Sequence, residues 1–401
     1  QAGIGSIKVP AKLDEFKAEL EKLEPGVSVK LDAFLEQAAF KYQRGIYDLV
    51  NRPSLSLMEF LDLRLFRDVL KMDIFQSMAT HLRKYFSHKK IIRLMEFPVL
   101  FLGETAQKIP ALYSLMNYAD IVLGTWYPMG GMHKIIEGMV ALAKEKGVVF
   151  KNKAEVVAIT ADTGAAKSVK LATGEEISFD FLVASADYHH VDKNLLSPKY
   201  SNYSEKYWDS RVLAPSSLLF YLGVNKRLKK LQHHNLFFDE PLEPHADAIY
   251  TNPRWPEKPL FYVSAPSVTD PSVAPEGMEN LFVLIPLAPD LQDSEKLRNE
   301  YFDKVMDRLE RITAQEIRSH IVYKRSYAHS DFKKDYFAFK GNAYGLANTL
   351  KQTAILKPTL RNKKLSNLYY TGQLTVPGPG VPPSLISGEV VAKEILKRFK
   401  N

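Results

Sequence analysis

Residues 369–388, YYTGQLTVPGPGVPPSLISG, constrain what this chain can fold into more than any other twenty positions. Two tyrosines end a short apolar strand, and Gly372 breaks it. A loop with Pro377, Gly378, Pro379, Gly380, Pro382 and Pro383 follows, and an amphipathic helix then runs nearly to the C-terminus. Strand, glycine-rich turn and helix N-terminus together present backbone N–H groups and a positive dipole end to an electron-rich ligand. Glycine lets the backbone approach that ligand closely, and proline stiffens the loop without consuming donors. The same pattern also describes a plain strand-to-helix connection.

A chain of 401 residues buries a sizeable core and predicts roughly two to three domains. With 46% hydrophobic residues, 20 Tyr and 22 Phe, it is globular and aromatic-rich rather than disordered or fibrous. The absence of cysteine excludes disulfides, thiolate metal sites, cysteine nucleophiles and cysteinyl-linked cofactors, and fits a reducing compartment. The histidines His133, His189, His190, His233 and His234 do not fall at metal-ligand spacings, so no metal is expected. No nucleophile-elbow pattern supports Ser-His-Asp chemistry.

The net charge of +8 comes from clusters: Lys89, Lys90 and Arg93; Lys226, Arg227, Lys229 and Lys230; Arg361, Lys363 and Lys364; Lys393, Lys397 and Arg398. These are solvated faces or a footprint for an anionic membrane surface. Nucleic acid is not expected as a partner, because no nucleic-acid module accompanies them. The apolar runs are shorter than the roughly 20 residues needed to span a bilayer. The chain starts at Gln1 with no charged-then-apolar leader, so no secretory signal is expected, and the missing initiator Met predicts a piece of a longer gene product.

Along the chain, residues 11–100 read as helical. LDEFKAELEKLEP (13–25) stops at Pro25-Gly26, and 30–50 carries apolar residues at helical spacing. Ser54 or Ser56 caps LSLMEFLDLRLFRDVLKM, and helix continues from Met72 to Met95. From 119 to 190 the pattern becomes α/β. A Gly130-Gly131 turn leads into a helix ending at Gly147, followed by a strand over 154–159, a hairpin turning at 173–174, and a buried strand FLVASAD ending on Asp187, which caps the next helix. Strands are predicted at 216–224, 260–267, 280–288 and 319–332, a long helix at 294–314, and a proline-rich surface loop at 241–259.

Several blocks, in order, resemble the bacterial-type phytoene desaturases, FAD-dependent carotenoid desaturases of the amine-oxidase-like flavoprotein superfamily. They are LEPG (23–26), FPVLFLGETAQKIPALYSLMNYAD (97–120), GTWYPMGGM (124–132), FLVASAD (181–187), GNAYGL (341–346) and the terminal YYTGQLTVPGPGVPPSLISGE. The likeness runs from about Val9 onward, and its terminal block is the most specific. It implies a two-domain α/β fold: a Rossmann-type FAD domain, here incomplete, and a substrate domain with a mixed sheet and a helical portion. The expected division is 1–118 as a mostly helical substrate- or membrane-facing region, 119–200 and 341–401 as parts of the FAD-binding domain, and 201–340 as the substrate sheet and helix. The family opens with a strand, a glycine-rich phosphate turn and a helix. Here AGIGS (2–6) is either chance or a remnant of that unit, and the pyrophosphate site is incomplete.

The resemblance also implies an FAD-dependent oxidoreductase acting on CH–CH bonds. Hydride would leave an allylic carbon of a long apolar, phytoene-like polyene for flavin N5, with a proton lost from the neighbouring carbon. By similarity Gly372, Gln373 and Thr375 lie against the ribityl or isoalloxazine region. Gly380, Val381 and Pro382 open the last helix toward the flavin pyrimidine edge. Val156 matches a position whose backbone meets the adenine, though it also reads as a core strand valine. Gly130 and Gly131 let their helix pack close beside the cofactor. Catalytic residues are not assigned; Glu104 and Asp120 are expected in surface or capping roles. A peripheral place on the inner face of the cytoplasmic membrane is expected, with helices between 55 and 100 on the leaflet. The alternatives are another flavin oxidoreductase of the same fold, retinol-saturase-like or an amine oxidase, and a truncated, non-catalytic fragment that binds apolar lipids.

Overall fold

The structure is a computed structural model that describes residues 5–60 and 72–399. Residues 2–4 of the AGIGS segment and the 61–71 part of the helix expected over LSLMEFLDLRLFRDVLKM lie outside the described residues. Ten strands are assigned among those described: β1 (Val156–Asp162), β2 (Ala165–Leu171), β3 (Glu176–Ser178), β4 (Leu182–Ala184), β5 (Ser216–Val224), β6 (His234–Phe237), β7 (Phe261–Ser264), β8 (Glu279–Leu287), β9 (Ile321–Tyr327) and β10 (Leu368–Tyr370). The chain divides into two compact units. One comprises Gln1–Thr125, Glu155–Ala214 and Tyr344–Asn401; the other comprises Trp126–Ala154 and Pro215–Ala343. The expected division changed at 118, 200 and 340, and it grouped residues 126–154 with the cofactor-binding segments.

In the first unit the helices Leu13–Glu21 and Val27–Tyr42 meet Met78–Leu82 and Lys89–Glu96 around a core of Phe16, Leu31, Phe34, Met78, Leu82 and Ile91. The helix expected from Met72 to Met95 is two pieces. Ser77 starts the first by accepting the Thr80 amide, and the second begins after His88. Helical spacing persists across the break because both pieces bury their apolar side on the same core. The unit also holds an antiparallel sheet in the order β1-β2-β3 and a parallel pair of β10 with β4. The strand within FLVASAD, expected to be buried, has Val183 at 43% exposure. It pairs with β10 alone among the described residues, so one of its sides stays uncovered.

The second unit is built on a five-stranded sheet in the order β6-β7-β8-β5-β9. Expected as mixed, it is antiparallel at each of its pairings. The central strands β5 and β8 run in register from Ser216↔Leu287 to Val224↔Glu279. The helix Glu295–Thr313 covers them, burying Tyr301, Phe302, Val305, Met306 and Leu309 against Leu218, Phe220 and Val283. Its ends follow local rules: the Ser294 side chain accepts the Leu297 amide, and Ala314 turns left-handed.

Two expectations fail in this unit. The proline-rich stretch 241–259 contains the helix Leu242–Tyr250, because His245 anchors it, accepting the Leu260 amide at 2.9 Å and bonding the Pro286 carbonyl at 2.8 Å. The strand over 319–332 ends at Tyr327, and His329–Tyr336 is helical because the Asp331 carboxylate accepts the Ala328 amide at 2.9 Å.

Candidate functional site

The terminal turn begins where the parallel pair ends. Leu368, Tyr369 and Tyr370 align with Leu182, Val183 and Ala184, and the Thr371 amide adds a bond to the Ala184 carbonyl at 3.0 Å. Tyr370 is fully buried and stacks on Tyr188 at a centroid distance of 3.7 Å. Gly372, at φ 99°, reverses the chain in a conformation L side chains rarely adopt. Its amide is not left for a ligand: it donates to Ser387 Oγ at 2.9 Å, tying the turn to the helix Val381–Phe399.

The segment 345–360 forms the floor of this turn. Thr375 is buried, donates its hydroxyl to the Pro358 carbonyl at 2.7 Å, and bonds the Gly372 carbonyl through its amide at 3.2 Å. The Tyr370 amide donates to Leu360. A Cβ at Gly345 would stand 2.5 Å from the Gln373 carbonyl oxygen, so only glycine admits that approach. Beneath Gly378, Lys357 Nζ donates to Asn348 Oδ1 at 2.7 Å and to the Pro377 carbonyl at 3.1 Å.

What the turn offers outward is narrower than a full helix N-terminus. Pro382 and Pro383 occupy the first helical turn and carry no N–H. The Ser384 amide is used on the Gly380 carbonyl at 3.0 Å. Among the described residues the amides of Gly378, Gly380 and Val381 make no hydrogen bond. They sit at the positive end of a 19-residue helix, and Gly380, Val381 and Pro382 are exposed. Three unpartnered donors with two glycines among them suit the electron-rich edge of a planar heteroaromatic ring, which fits a flavin.

The expected cofactor residues therefore separate into three places. Gly372, Gln373, Thr375, Gly380, Val381 and Pro382 share the terminal turn. Val156, half-buried, opens β1 on the antiparallel sheet of the same unit, paired with Leu171. Gly130 and Gly131 belong to the second unit, at φ 90° and 100°. There the Gly130 amide is committed to buried Asp270 at 2.6 Å, which also accepts from the amide and hydroxyl of Ser272. The helix they precede, His133–Glu145, buries none of its residues.

Sequence reasoning missed Lys357, Asn348, Ser387 and Asp270. Only Ser387, nearly two turns into the helix, falls within the terminal block. Glu104 pairs with Lys108 at 2.9 Å and Asp120 accepts from Thr125, while Asp187 accepts the His190 amide at 3.1 Å as a cap. A cleft of 360 Å³ lined by Asn51, Arg52, Pro53, Leu55, Glu59, Glu394 and Lys397 contains none of the expected residues. Its ionic walls do not suit a hydrocarbon.

Comparison with known proteins gives a consistent picture. The family described as flavin containing amine oxidoreductase matches residues 10–396. A carotenoid 3,4-desaturase of Haloarcula japonica is 37% identical over 392 residues, covering 98% of this chain and 79% of its own length. A zeta-carotene-forming phytoene desaturase of Myxococcus xanthus is 31% identical, over 94% of this chain and 73% of that one. Among solved structures, an oxidoreductase from Methanosarcina mazei matches with a TM-score of 0.55 at 16% identity, over 84% of this chain and 75% of that one. A single-site variant of putrescine oxidase gives 0.55 at 11% identity, over 93% and 76%. These structural likenesses concern the fold alone.

Proposed function

The chain belongs to the flavin containing amine oxidoreductase family, and from that premise we propose that it is an FAD-dependent carotenoid desaturase. The observation that carries the reading is the terminal turn, where Gly378, Gly380 and Val381 keep free amides at a helix N-terminus. When bound, FAD supplies the hydride acceptor for desaturation of a carbon–carbon bond. The chain's own part is to hold the ring edge with those amides and to keep the turn rigid through Ser387, Pro358 and Lys357. Gln373 and Val156 are further proposed contacts. Preorganised donors cost no reorganisation at the moment of reaction, which is why a braced turn is worth more than a loose one.

The substrate we propose is a long apolar polyene of the phytoene class. Access from a membrane surface is supported by exposed Met58 and Phe75, at 77% and 84%, and by the basic cluster Lys89, Lys90 and Arg93. No described helix is long and apolar enough to cross a membrane. An amine oxidase reading is disfavoured by the two tyrosines of the terminal block. Tyr369 and Tyr370 are 1% and 0% exposed and offer no aromatic cage to a cationic amine.

The test is to incubate the full gene product with phytoene in anionic liposomes, with FAD and either a quinone or oxygen as acceptor. Products with additional conjugated double bonds, seen by chromatography with visible absorption, are expected. Absence of any desaturated product from phytoene or its partly desaturated derivatives, under either acceptor, would overturn the assignment.

A further inference from the structure

Lys357 lies in the floor of the terminal turn at 4% exposure and, among the described residues, makes no ion pair. Its amine is held by two acceptors, Asn348 Oδ1 at 2.7 Å and the Pro377 carbonyl at 3.1 Å. Asn348 is itself fixed, its backbone N–H donating to the Leu102 carbonyl at 2.8 Å. A Cβ on Gly378 would stand 2.6 Å from Lys357 Nζ, so the amine fills the space directly beneath that glycine.

Burying an unpaired ammonium is costly, and burial alone brings this amine down to about 7. The neutral form has two N–H groups to give, and two acceptors are present. The protonated form has a third N–H for which the described residues supply no acceptor. The neighbours packed on it, Asn348, Ala354, Pro377 and Gly378, bring no second titratable group.

We infer that Lys357 is a positioning residue of the cofactor turn. Through Asn348 and the Pro377 carbonyl it sets the direction of the Gly378, Gly380 and Val381 amides, and its third proton compensates negative charge that a ligand brings there. The inference rests on the reading of this turn as flavin-contacting. A ligand with an electron-rich edge then binds together with a proton. Its affinity is full below the free amine's titration and falls above it, by up to about tenfold per pH unit.

The experiment has two arms, with folding of each variant checked by circular dichroism. In the first, FAD is titrated into the chain across neutral and alkaline pH and followed by flavin fluorescence. Lys357→Met is expected to bind at least about tenfold more weakly, with a flat pH profile. Lys357→Arg, which keeps its charge, is expected to recover affinity to within a few-fold but to lose the alkaline decline. In the second arm, amide exchange over 370–380 is followed without flavin, and Lys357→Met is expected to accelerate it several-fold. Wild-type exchange in Lys357→Met, or wild-type FAD affinity and pH profile in it, would overturn the proposal. Failure of the unaltered chain to bind FAD at any pH, with exchange still accelerated by Lys357→Met, would count against the flavin reading and support the bracing role.

Discussion

Glu24 illustrates how much a single side chain decides here. It sits in the LEPG block at 7% exposure and accepts from Lys30 Nζ at 2.8 Å, the Ser87 amide at 3.0 Å and the His88 amide at 2.9 Å. Burial pushes its carboxyl up, but the Lys30 ammonium and the two amides outweigh that and hold it at about 2. The block is thus a brace between the second helix and the segment that starts the helix Lys89–Glu96, rather than a ligand contact. Glu24→Gln removes the charge that pairs with Lys30 and leaves one acceptor oxygen for three donors, and is expected to cost about 2 kcal/mol. Urea unfolding at neutral pH measures it, and an unchanged midpoint would refute the bracing role. Its charge contributes above the usual carboxylate range, and that contribution is lost as pH falls toward 2.

Among the elements, the helix His133–Glu145 departs most from expectation. Its apolar positions Ile136, Met139 and Leu142 recur every three residues yet are 51%, 45% and 57% exposed, and Met129 and Met132 before it are similarly open. An amphipathic stripe of this kind is a binding surface for apolar groups. An anilinonaphthalene dye is expected to bind the chain, and the combined change Ile136→Ser, Met139→Ser and Leu142→Ser to weaken that binding by about tenfold, a little over 1 kcal/mol. Equal dye affinity in both proteins would place the exposed apolar surface elsewhere. The terminal helix shows the opposite economy: its first turn gives up two N–H groups to proline, and exposed Gly380 and Val381 precede them with amides that make no hydrogen bond among the described residues.

For the whole molecule, each compact unit carries a histidine that must stay neutral. Burial, with the Lys41 ammonium beside it, lowers His81 to about 4 in the first unit. In the second, burial lowers His245 to about 4 against the opposing pull of the Pro286 carbonyl. Both titrate at 6.5 when unfolded, so the unfolded chain binds more protons between 6.5 and 4. Stability is therefore full above 6.5 and lost as pH falls toward 4, by up to about 3 kcal/mol per histidine. Denaturant unfolding at several pH values is expected to show this decline, and His245→Gln to flatten its share. A stability profile level from pH 7 to 5 would contradict both assignments.

The sequence alone determined the elements whose information is local. A short continuous apolar run placed β5 over 216–224, amphipathic spacing placed the helix of 294–314, and the glycine–proline run placed the terminal turn ahead of its helix. These follow from backbone geometry, which repeats over a few residues and leaves its mark in order. Tertiary structure decided which donors remain for a ligand, because Gly372 reaches Ser387, Thr375 reaches Pro358 and Lys357 reaches Pro377. It also decided that a proline-rich stretch holds a helix pinned by His245, and that an amphipathic helix after Gly131 stays uncovered. Those outcomes depend on hydrogen bonds and burial between residues distant in the chain, which no short window of sequence contains.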